Sequence, residues 1–212
     1  MATFNWDPFL FLAHMRNRDV GALPQILFLH GCAVLGYCEE HKKQGPLDAR
    51  CGACGGRFLP ARLLYPVRDK DYAADRYIES QWRGLRSALE RAFVLTVFGY
   101  SAPESDAEAV KLMGSAWGRA ERRELEETEI INTTREDELA ARWNRFICGH
   151  HYRTTADYFE SILSRFPRRS CEAIWEETQE CRFLEYASVP RFPSLETMQL
   201  WFKELCHFER ER

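Results

Sequence analysis

Four potential metal ligands lie close together near the start of this 212-residue chain. Cys38 and His41 are separated by two residues, and Cys51 and Cys54 form a second pair with the same spacing. A pair at this spacing can reach one metal ion through a tight turn, and two such pairs complete the tetrahedron that zinc prefers. Because the protein supplies all four ligands, the spacing predicts a structural Zn²⁺ site with no position left open for chemistry.

The fourth ligand and the extent of the zinc module are less constrained by the spacing. His41 is the weakest member of the set, and Cys32 is an alternative with poorer spacing that follows an apolar run. Gly52, Gly55 and Gly56 are expected to supply the unusual backbone angles that a metal knuckle needs. Residues 36–58 are short of large aliphatic side chains and rich in Cys, Gly, Lys and Glu, which indicates an inserted zinc ribbon.

The composition excludes several classes of protein. Hydrophobic residues make up 45% of the chain and charged residues 29%, which is enough apolar material for a core. The net charge is −3 and no basic stripe stands out, so we expect no nucleic-acid partner. No apolar run approaches the roughly 20 residues that span a bilayer, and no signal peptide is recognisable. We therefore expect a cytoplasmic protein that does not associate with membranes.

The order of apolar runs and helical patterns predicts an α/β fold. Apolar runs of strand length occupy residues 24–30, 63–67 and 93–98, and such runs suit strands buried on both faces of a parallel sheet. Helical spacing covers residues 75–92 and 105–117, on either side of the third run. This alternation predicts a partial Rossmann-like parallel sheet that carries the ribbon as an insert.

The second half of the chain has a different pattern of charged and apolar residues. The charge run at residues 121–129 is typical of a solvated helix face or a connector, and residues 130–132 suit a last short strand. Helical patterns are predicted in the remainder, at residues 136–148, 155–165, 171–186 and 194–209. We therefore expect an α/β domain at residues 1–117, with its insert at 36–58, and a mainly helical C-terminal extension at residues 118–212.

Three short segments resemble those of sirtuin-like NAD-binding proteins, and they occur in the same order. Thr3-Phe4-Asn5-Trp6-Asp7 resembles the T-x-N-x-D segment of that family, Leu29-His30-Gly31 its L-H-G segment, and Gly99-Tyr100-Ser101 its G-[TY]-S turn. The predicted ribbon falls between the second and third segments, where the family carries its zinc ribbon. The resemblance covers residues 3–115, and its third segment looks closer to bacterial sirtuin-like domains, many of them defence-associated NAD hydrolases.

The resemblance implies roles for the matching residues. Asn5 and Asp7 would lie beside the nicotinamide ribose, where Asn5 helps to position an attacking water or acyl oxygen, and His30 would be the general base. Gly99 and Ser101 would line NAD at the carboxyl edge of the sheet. A second interpretation stays open: His30 as a hydrogen-bonded residue at a strand end, and Asn5 and Asp7 as cap and turn residues before the first helix.

Sirtuin-like enzymes also have a strand and a Gly-Ala-Gly turn, for which the sequence before Asn5 offers no counterpart. We therefore expect an upstream or partner polypeptide to complete the NAD site, or the chain to form a homo-oligomer, because an incomplete sheet exposes an edge. The leading hypothesis is that the protein is an NAD glycohydrolase, or part of one. The alternatives are an NAD-dependent protein deacylase and a catalytically inactive, zinc-stabilised interaction module.

Overall fold

The structure is a computed structural model with two compact units. One unit combines Met1–Leu85 with Phe192–Arg212, and the other is Arg86–Arg191. The boundary predicted at residue 117 rests on the change of sequence pattern after Trp117, and it stays a prediction. The residues that the structure describes are 1–65, 72, 75–103, 106–185 and 188–210.

The first unit begins with a short pair of parallel strands. Strand β1 (Ala2–Thr3) lies beside β2 (Leu27–Phe28), and helix α1 (Phe9–Arg16) occurs between them in the chain. The strand predicted at residues 24–30 is therefore only two residues long. Strand β2 ends early because Gly31, at φ +84°, turns the chain and donates its N–H to the Phe28 carbonyl at 3.0 Å.

Helix α2 (Arg76–Glu90) covers this strand pair with one apolar stripe. Its buried side chains recur at helical spacing, and the Asp75 carboxylate accepts the N–H of Ile78 at 3.0 Å near the start of the helix. Gly84 leaves room for Leu27, since a Cβ there would lie 3.1 Å from a Leu27 methyl carbon. The buried stripe consists of Tyr77, Ile78, Trp82, Leu85 and Leu89.

The first unit also contains a small antiparallel sheet and the last helix. The sheet has the order β4-β3-β5, and it occupies nearly the segment predicted as an insert. Helix α7 (Leu195–Arg210) is joined to the rest of the unit by Gln199, whose side-chain amide donates to Asn17 Oδ1 at 2.9 Å. The three strands are β3 (Leu35–Cys38), β4 (Lys43–Pro46) and β5 (Leu59–Pro60).

The second unit is built on a parallel sheet with the order β6-β7-β8. Helices α3 and α4 connect the successive strands, as the crossover of parallel strands requires. The predicted mixed α/β fold with a parallel sheet is thereby confirmed. Its elements are β6 (Val94–Phe98), α3 (Ala107–Trp117), β7 (Glu127–Ile131), α4 (Glu136–Trp143), β8 (Tyr152–Thr155), α5 (Ile162–Arg165) and α6 (Ser170–Gln179).

Several predicted elements in the later part of the chain are wrong or shortened. The helix predicted at 155–165 is replaced by the end of β8 and the four-residue helix α5, because β8 pairs with β7 and Ser161 caps α5 by accepting the Ser164 N–H. The helix predicted at 171–186 ends at Gln179. Residues 63–65 form no strand. The rest of that predicted strand, residues 66–67, and the predicted helix positions 105 and 186 lie outside the described residues.

The charge run at residues 121–129 is not a solvated connector throughout. Its last part is the central strand β7, where Glu127 and Glu129 are 4% and 1% exposed. Both carboxylates have partners, since Glu127 pairs with Arg153 at 2.8 Å and Glu129 accepts the N–H of Ile162 at 2.7 Å. These contacts offset part of the cost of burying the two carboxyl groups. Every helix within the described residues is too short or too polar to cross a membrane.

Candidate functional site

The four predicted metal ligands come together in the small antiparallel sheet and its loops. One ligand atom from each of Cys38, His41, Cys51 and Cys54 lies within 4.8 Å of the others. Cys38 Sγ is 3.7 Å from His41 Nδ1 and 3.8 Å from Cys54 Sγ. Zinc bonds of about 2.1 Å to nitrogen and 2.3 Å to sulfur place tetrahedral ligand atoms about 3.6–3.8 Å apart. The Cys₃His cluster could therefore hold a metal ion such as Zn²⁺.

The first ligand pair is held by the hairpin of β3 and β4. Cys38 is the last residue of β3 and lies opposite Lys43, the first residue of β4. His41 is in the four-residue turn between them, where Lys42 adopts φ +51°. The turn brings the His41 ring back toward the end of the strand that carries the Cys38 sulfur.

The second ligand pair is held by a hydrogen-bonded knuckle. The N–H of Gly55 donates to the Cys51 carbonyl and the N–H of Cys51 donates to the Gly56 carbonyl, both at 2.8 Å. Gly55 adopts φ +71°, a backbone conformation in which any residue with a side chain would be strained. The Arg50 guanidinium adds a hydrogen bond to the Gly55 carbonyl at 2.9 Å.

The electrostatics of the cluster suit a cation. Backbone hydrogen bonds from Ala53 and Cys54 lower the pKa of Cys51 to about 7, which favours the thiolate that binds metals. At Cys54 the hydrogen bond from Gly56 is outweighed by desolvation and the neighbouring sulfurs, so the pKa of that thiol is raised. Nearby thiols cannot all ionise without mutual repulsion, and a bound cation would remove this repulsion.

Cys32, the alternative fourth ligand, lies outside the metal-ligand cluster found among the described residues. It is 1% exposed and packs with Ile26, Phe28 and Leu35 in the core of the first unit. Its sulfur lies 3.8 Å from the Asp7 carbonyl oxygen. Its burial there leaves His41 as the fourth member of the cluster.

Two glycines of the small sheet differ sharply in their surroundings. A Cβ on Gly36, in the central strand β3, would lie 2.7 Å from both the Leu59 carbonyl oxygen and the Phe58 Cβ. A Cβ on Gly52, in the knuckle, would meet no atom within 4 Å. The absence of a side chain at Gly36 is therefore what allows β5 to pack against β3.

We expect Gly36→Ala to lower the free energy of unfolding by about 1–3 kcal/mol, since the new methyl group must displace backbone. Gly52→Ala is the matched control and should change it by less than about 0.5 kcal/mol. Thermal denaturation of both variants measures the difference. Equal melting temperatures for the two variants would show that the close approach of β5 to Gly36 is unimportant.

Asn5 and His30 lie at the same end of the first parallel strand pair. Thr3 is opposite Phe28, and Asn5 and His30 each follow two residues later, beyond the carboxyl ends of β1 and β2. Hydrogen bonds continue the pairing, with Leu29 N–H donating to the Thr3 carbonyl at 2.9 Å. Asn5 is exposed, whereas His30 is 7% exposed.

The His30 ring lies among aromatic side chains. Its centroid is 5.0 Å from that of Phe4, edge to face, and 6.2 Å from that of Tyr72, nearly parallel. Helix α2 secures the strand end beneath it, because Trp82 Nε1–H donates to the Leu29 carbonyl at 3.1 Å and Gln81 Oε1 accepts the Phe28 N–H at 3.1 Å. These contacts hold His30 at a defined place beside the strand ends.

Asp7 has a local structural contact. Its Oδ1 accepts the N–H of Phe9, the first residue of α1, at 3.0 Å. This is the behaviour of a residue that opens a helix, as in the second interpretation of the sequence. The carboxylate therefore has a structural role at the start of α1.

Gly99 and Ser101 lie at the carboxyl edge of the other parallel sheet. Gly99 adopts φ +66° with open space where a Cβ would be, and its N–H donates to the Ile131 carbonyl at 2.9 Å. The Ser101 carbonyl accepts a hydrogen bond from Arg142 at 3.3 Å. These two residues belong to the second unit, and Asn5, Asp7 and His30 belong to the first.

The structure adds Asn132 to the residues at this edge. It directly follows β7, as Gly99 follows β6, and its N–H donates to the Thr155 carbonyl at 2.8 Å. Its Oδ1 accepts the Thr134 N–H at 3.0 Å. Sequence reasoning treated residue 132 only as the end of a strand. The available signal was a polar residue directly after a buried strand of a parallel sheet.

Comparison with known proteins provides little further information. No protein-family model and no curated protein sequence matches the chain. A solved structure described as "The Structural basis for Sirtuin Substrate affinity" matches with a TM-score of 0.27 and 15% sequence identity. The match covers 52% of this chain and 46% of that chain, so this chain spans less than half of the matched structure. A similarity of this size supports no conclusion about fold or function.

Proposed function

We propose that the protein binds NAD and cleaves its N-glycosidic bond, as an NAD glycohydrolase or part of one, while a structural Zn²⁺ holds its ribbon together. The observation that carries the catalytic proposal is that Asn5 and His30 each lie two residues beyond the carboxyl ends of the paired strands β1 and β2. Ligands of parallel α/β sheets bind beyond the carboxyl ends of their strands. The residues of the sirtuin-like segments at this position are an amide and an imidazole, which suit the positioning and deprotonation of water.

In the proposed reaction, the bond between the ribose C1′ and the nicotinamide nitrogen breaks, and its electron pair leaves with nicotinamide. A water molecule held by the Asn5 amide adds to C1′, and His30 accepts the proton that this water loses. The products are nicotinamide and ADP-ribose. The aromatic rings around His30 limit the access of bulk water to its imidazole.

The family resemblance also assigns NAD contacts to Asp7, in the first unit, and to Gly99 and Ser101, in the second unit. Gly99 presents bare backbone at the sheet edge, so a ligand can approach closely there. Asn132 is a further candidate at the same edge, through its side-chain amide. The completing segment, either an upstream polypeptide or a partner, would supply the phosphate-binding turn implied by the family resemblance. A role in bacterial defence rests on the same resemblance.

The metal part of the proposal assigns Zn²⁺ to the cluster of three cysteines and one histidine. When bound, the ion would link the hairpin of β3 and β4 to the knuckle, and four protein ligands leave no site for a reactive water. The catalytic part depends on His30 and Asn5 alone.

The test of the catalytic proposal is an assay of nicotinamide release from NAD, with the full chain alone and with the polypeptide encoded immediately upstream. We expect His30→Ala to lower the rate by about 10²–10⁴-fold, the usual contribution of a general base. His150→Ala, at an exposed position, is the matched control and should retain the wild-type rate. Unchanged release by His30→Ala would contradict the assignment of His30.

The assay also separates the other functions. Release that requires an acylated peptide identifies an NAD-dependent deacylase. The contact of Asp7 with the Phe9 N–H favours the inactive interaction module as the second candidate, because it gives Asp7 a role without NAD. No release under either condition, together with no heat of NAD binding by calorimetry, would support that module.

A further inference from the structure

Glu129 is a carboxyl group buried at the centre of the second unit. It lies in the middle strand β7, level with Thr96 of β6 and with Arg153 of β8, and it is 1% exposed. A charged group in this position has lost its water on every side, which is costly unless the group has partners or binds a proton. None of the proposed chemistry uses it.

The carboxyl group joins three elements. Its Oε1 accepts the N–H of Ile162, the first residue of α5, at 2.7 Å. Its Oε2 lies 3.3 Å from Thr96 Oγ1. Both contacts are compatible with a neutral carboxyl group, since Oε1 can still accept from Ile162 while a proton on Oε2 is donated to the threonine oxygen.

The neighbouring charges do not compensate for this burial. Arg153 of β8 is directed to Glu127, at 2.8 Å, and it also approaches Glu177 of α6 at 3.9 Å. Two further titratable groups interact with Glu129. Beyond burial, the charge of Glu127 adds to the rise of the Glu129 pKa, and at Tyr158, in the turn before α5, burial first and Glu129 second raise the phenol pKa. Burial likewise raises the pKa of Glu129, and the contacts with Ile162, Thr96 and Arg153 reduce that rise only in part.

We propose that Glu129 is a proton-linked latch, which fastens residues 158–165 to the parallel sheet most firmly when its carboxyl group is neutral. In the open or unfolded chain the same group returns to water and to its ordinary pKa of 4.5. The closed state therefore binds the proton more tightly than the open state. The contribution of Glu129 to the free energy of unfolding is therefore greatest below pH 4.5. It is lost as the pH rises from 4.5 to the raised pKa of the folded state.

The test follows the Ile162 amide by NMR of the full chain as a function of pH. In the wild type this resonance should shift with a midpoint above 4.5, because its acceptor changes charge. Thr96→Val should move the midpoint higher, since the ionised form loses a hydrogen bond. Glu129→Gln keeps the shape and the acceptor of the neutral acid, and it should remove the shift. Glu124→Gln, at an exposed position, should leave the wild-type curve unchanged.

Equilibrium unfolding gives the matching result for stability. Between pH 4.5 and the raised pKa of the folded state, the equilibrium constant for unfolding of the wild type should rise by up to about tenfold per pH unit relative to that of Glu129→Gln. A midpoint at or below pH 4.5 for the wild-type Ile162 resonance, or a pH-dependent shift that persists in Glu129→Gln, would contradict the proposal. Failure of Glu129→Gln to fold would also overturn it, because glutamine has the shape and charge of the state that the proposal makes the most stable.

Discussion

Removal of the metal is expected to unfold the ribbon at residues 35–60. Structural zinc contributes about 10–16 kcal/mol of apparent binding free energy in small zinc modules, and that energy is coupled to folding. The small sheet has few other sources of stability, because β5 is two residues long and much of the knuckle is exposed. We therefore expect one zinc per purified chain, loss of ribbon structure on chelation, and the same loss in Cys51→Ser.

Cys171→Ser provides the matched control for this experiment, since Cys171 is an exposed cysteine of α6 in the other unit. It should retain the wild-type zinc content by atomic emission and the wild-type amide spectrum of the ribbon. A Cys51→Ser protein that still carries one zinc and an ordered ribbon would refute the site. Unchanged ribbon resonances after complete chelation would refute the structural role of the ion.

Replacement of Arg123 by alanine is expected to destabilise the second unit by about 2–4 kcal/mol, because several backbone carbonyls lose hydrogen bonds to a charged donor. Its side chain is only 11% exposed. The guanidinium donates to the Leu89 and Ala92 carbonyls at 2.9 Å, at the end of α2, and to the Trp117 carbonyl at 2.8 Å, at the end of α3. It also lies 4.4 Å from the centroid of the Trp117 ring.

The Leu89 and Trp117 carbonyls belong to the last turns of α2 and α3, where the final acceptors lack a donor within their own helix, and the Ala92 carbonyl follows directly after α2. One cation satisfies both ends and complements both helix dipoles. Chemical denaturation measures the effect, with Arg122→Ala as the control because that neighbouring arginine is exposed. Arg123→Lys should restore only part of the lost stability, since a lysine ammonium group cannot reproduce the several hydrogen bonds of the planar guanidinium. Equal stability of the Arg122 and Arg123 variants would contradict this role.

The local patterns of the sequence predict those parts of the protein that depend on neighbours in the chain. The apolar stripe of α2 can be predicted from the sequence, because its residues repeat at helical spacing (Ile78, Trp82, Leu85 and Leu89). The metal cluster is readable for the same reason, since each ligand pair spans only four residues. Strand β6 is readable as an apolar run between a helix and a glycine turn.

The features that the sequence does not reveal depend on residues distant in the chain. Strand β8 begins at Tyr152 after a pair of histidines, and only its pairing with β7 makes it a strand. From the sequence, Glu127 and Glu129 are predicted to face solvent. In the structure both are buried, because β7 lies between β6 and β8. The candidate site shows the same division: the resemblance named Asn5 and His30, whereas the pairing of β1 with β2 places both residues just beyond the same strand ends.

By itself, the sequence predicted the two Cys/His pairs of the cluster, with His41 as the least certain member, the α/β alternation around β6 and the approximate bounds of helices α2, α3 and α7. Those properties follow from spacing and periodicity within short stretches of chain. Only the tertiary structure showed that Cys32 is a core residue and that His41 completes the cluster, that Arg123 joins two helix ends, and that Glu129 is buried. Burial and long-range pairing change the free energy of a side chain by several kcal/mol, and no local pattern carries that information.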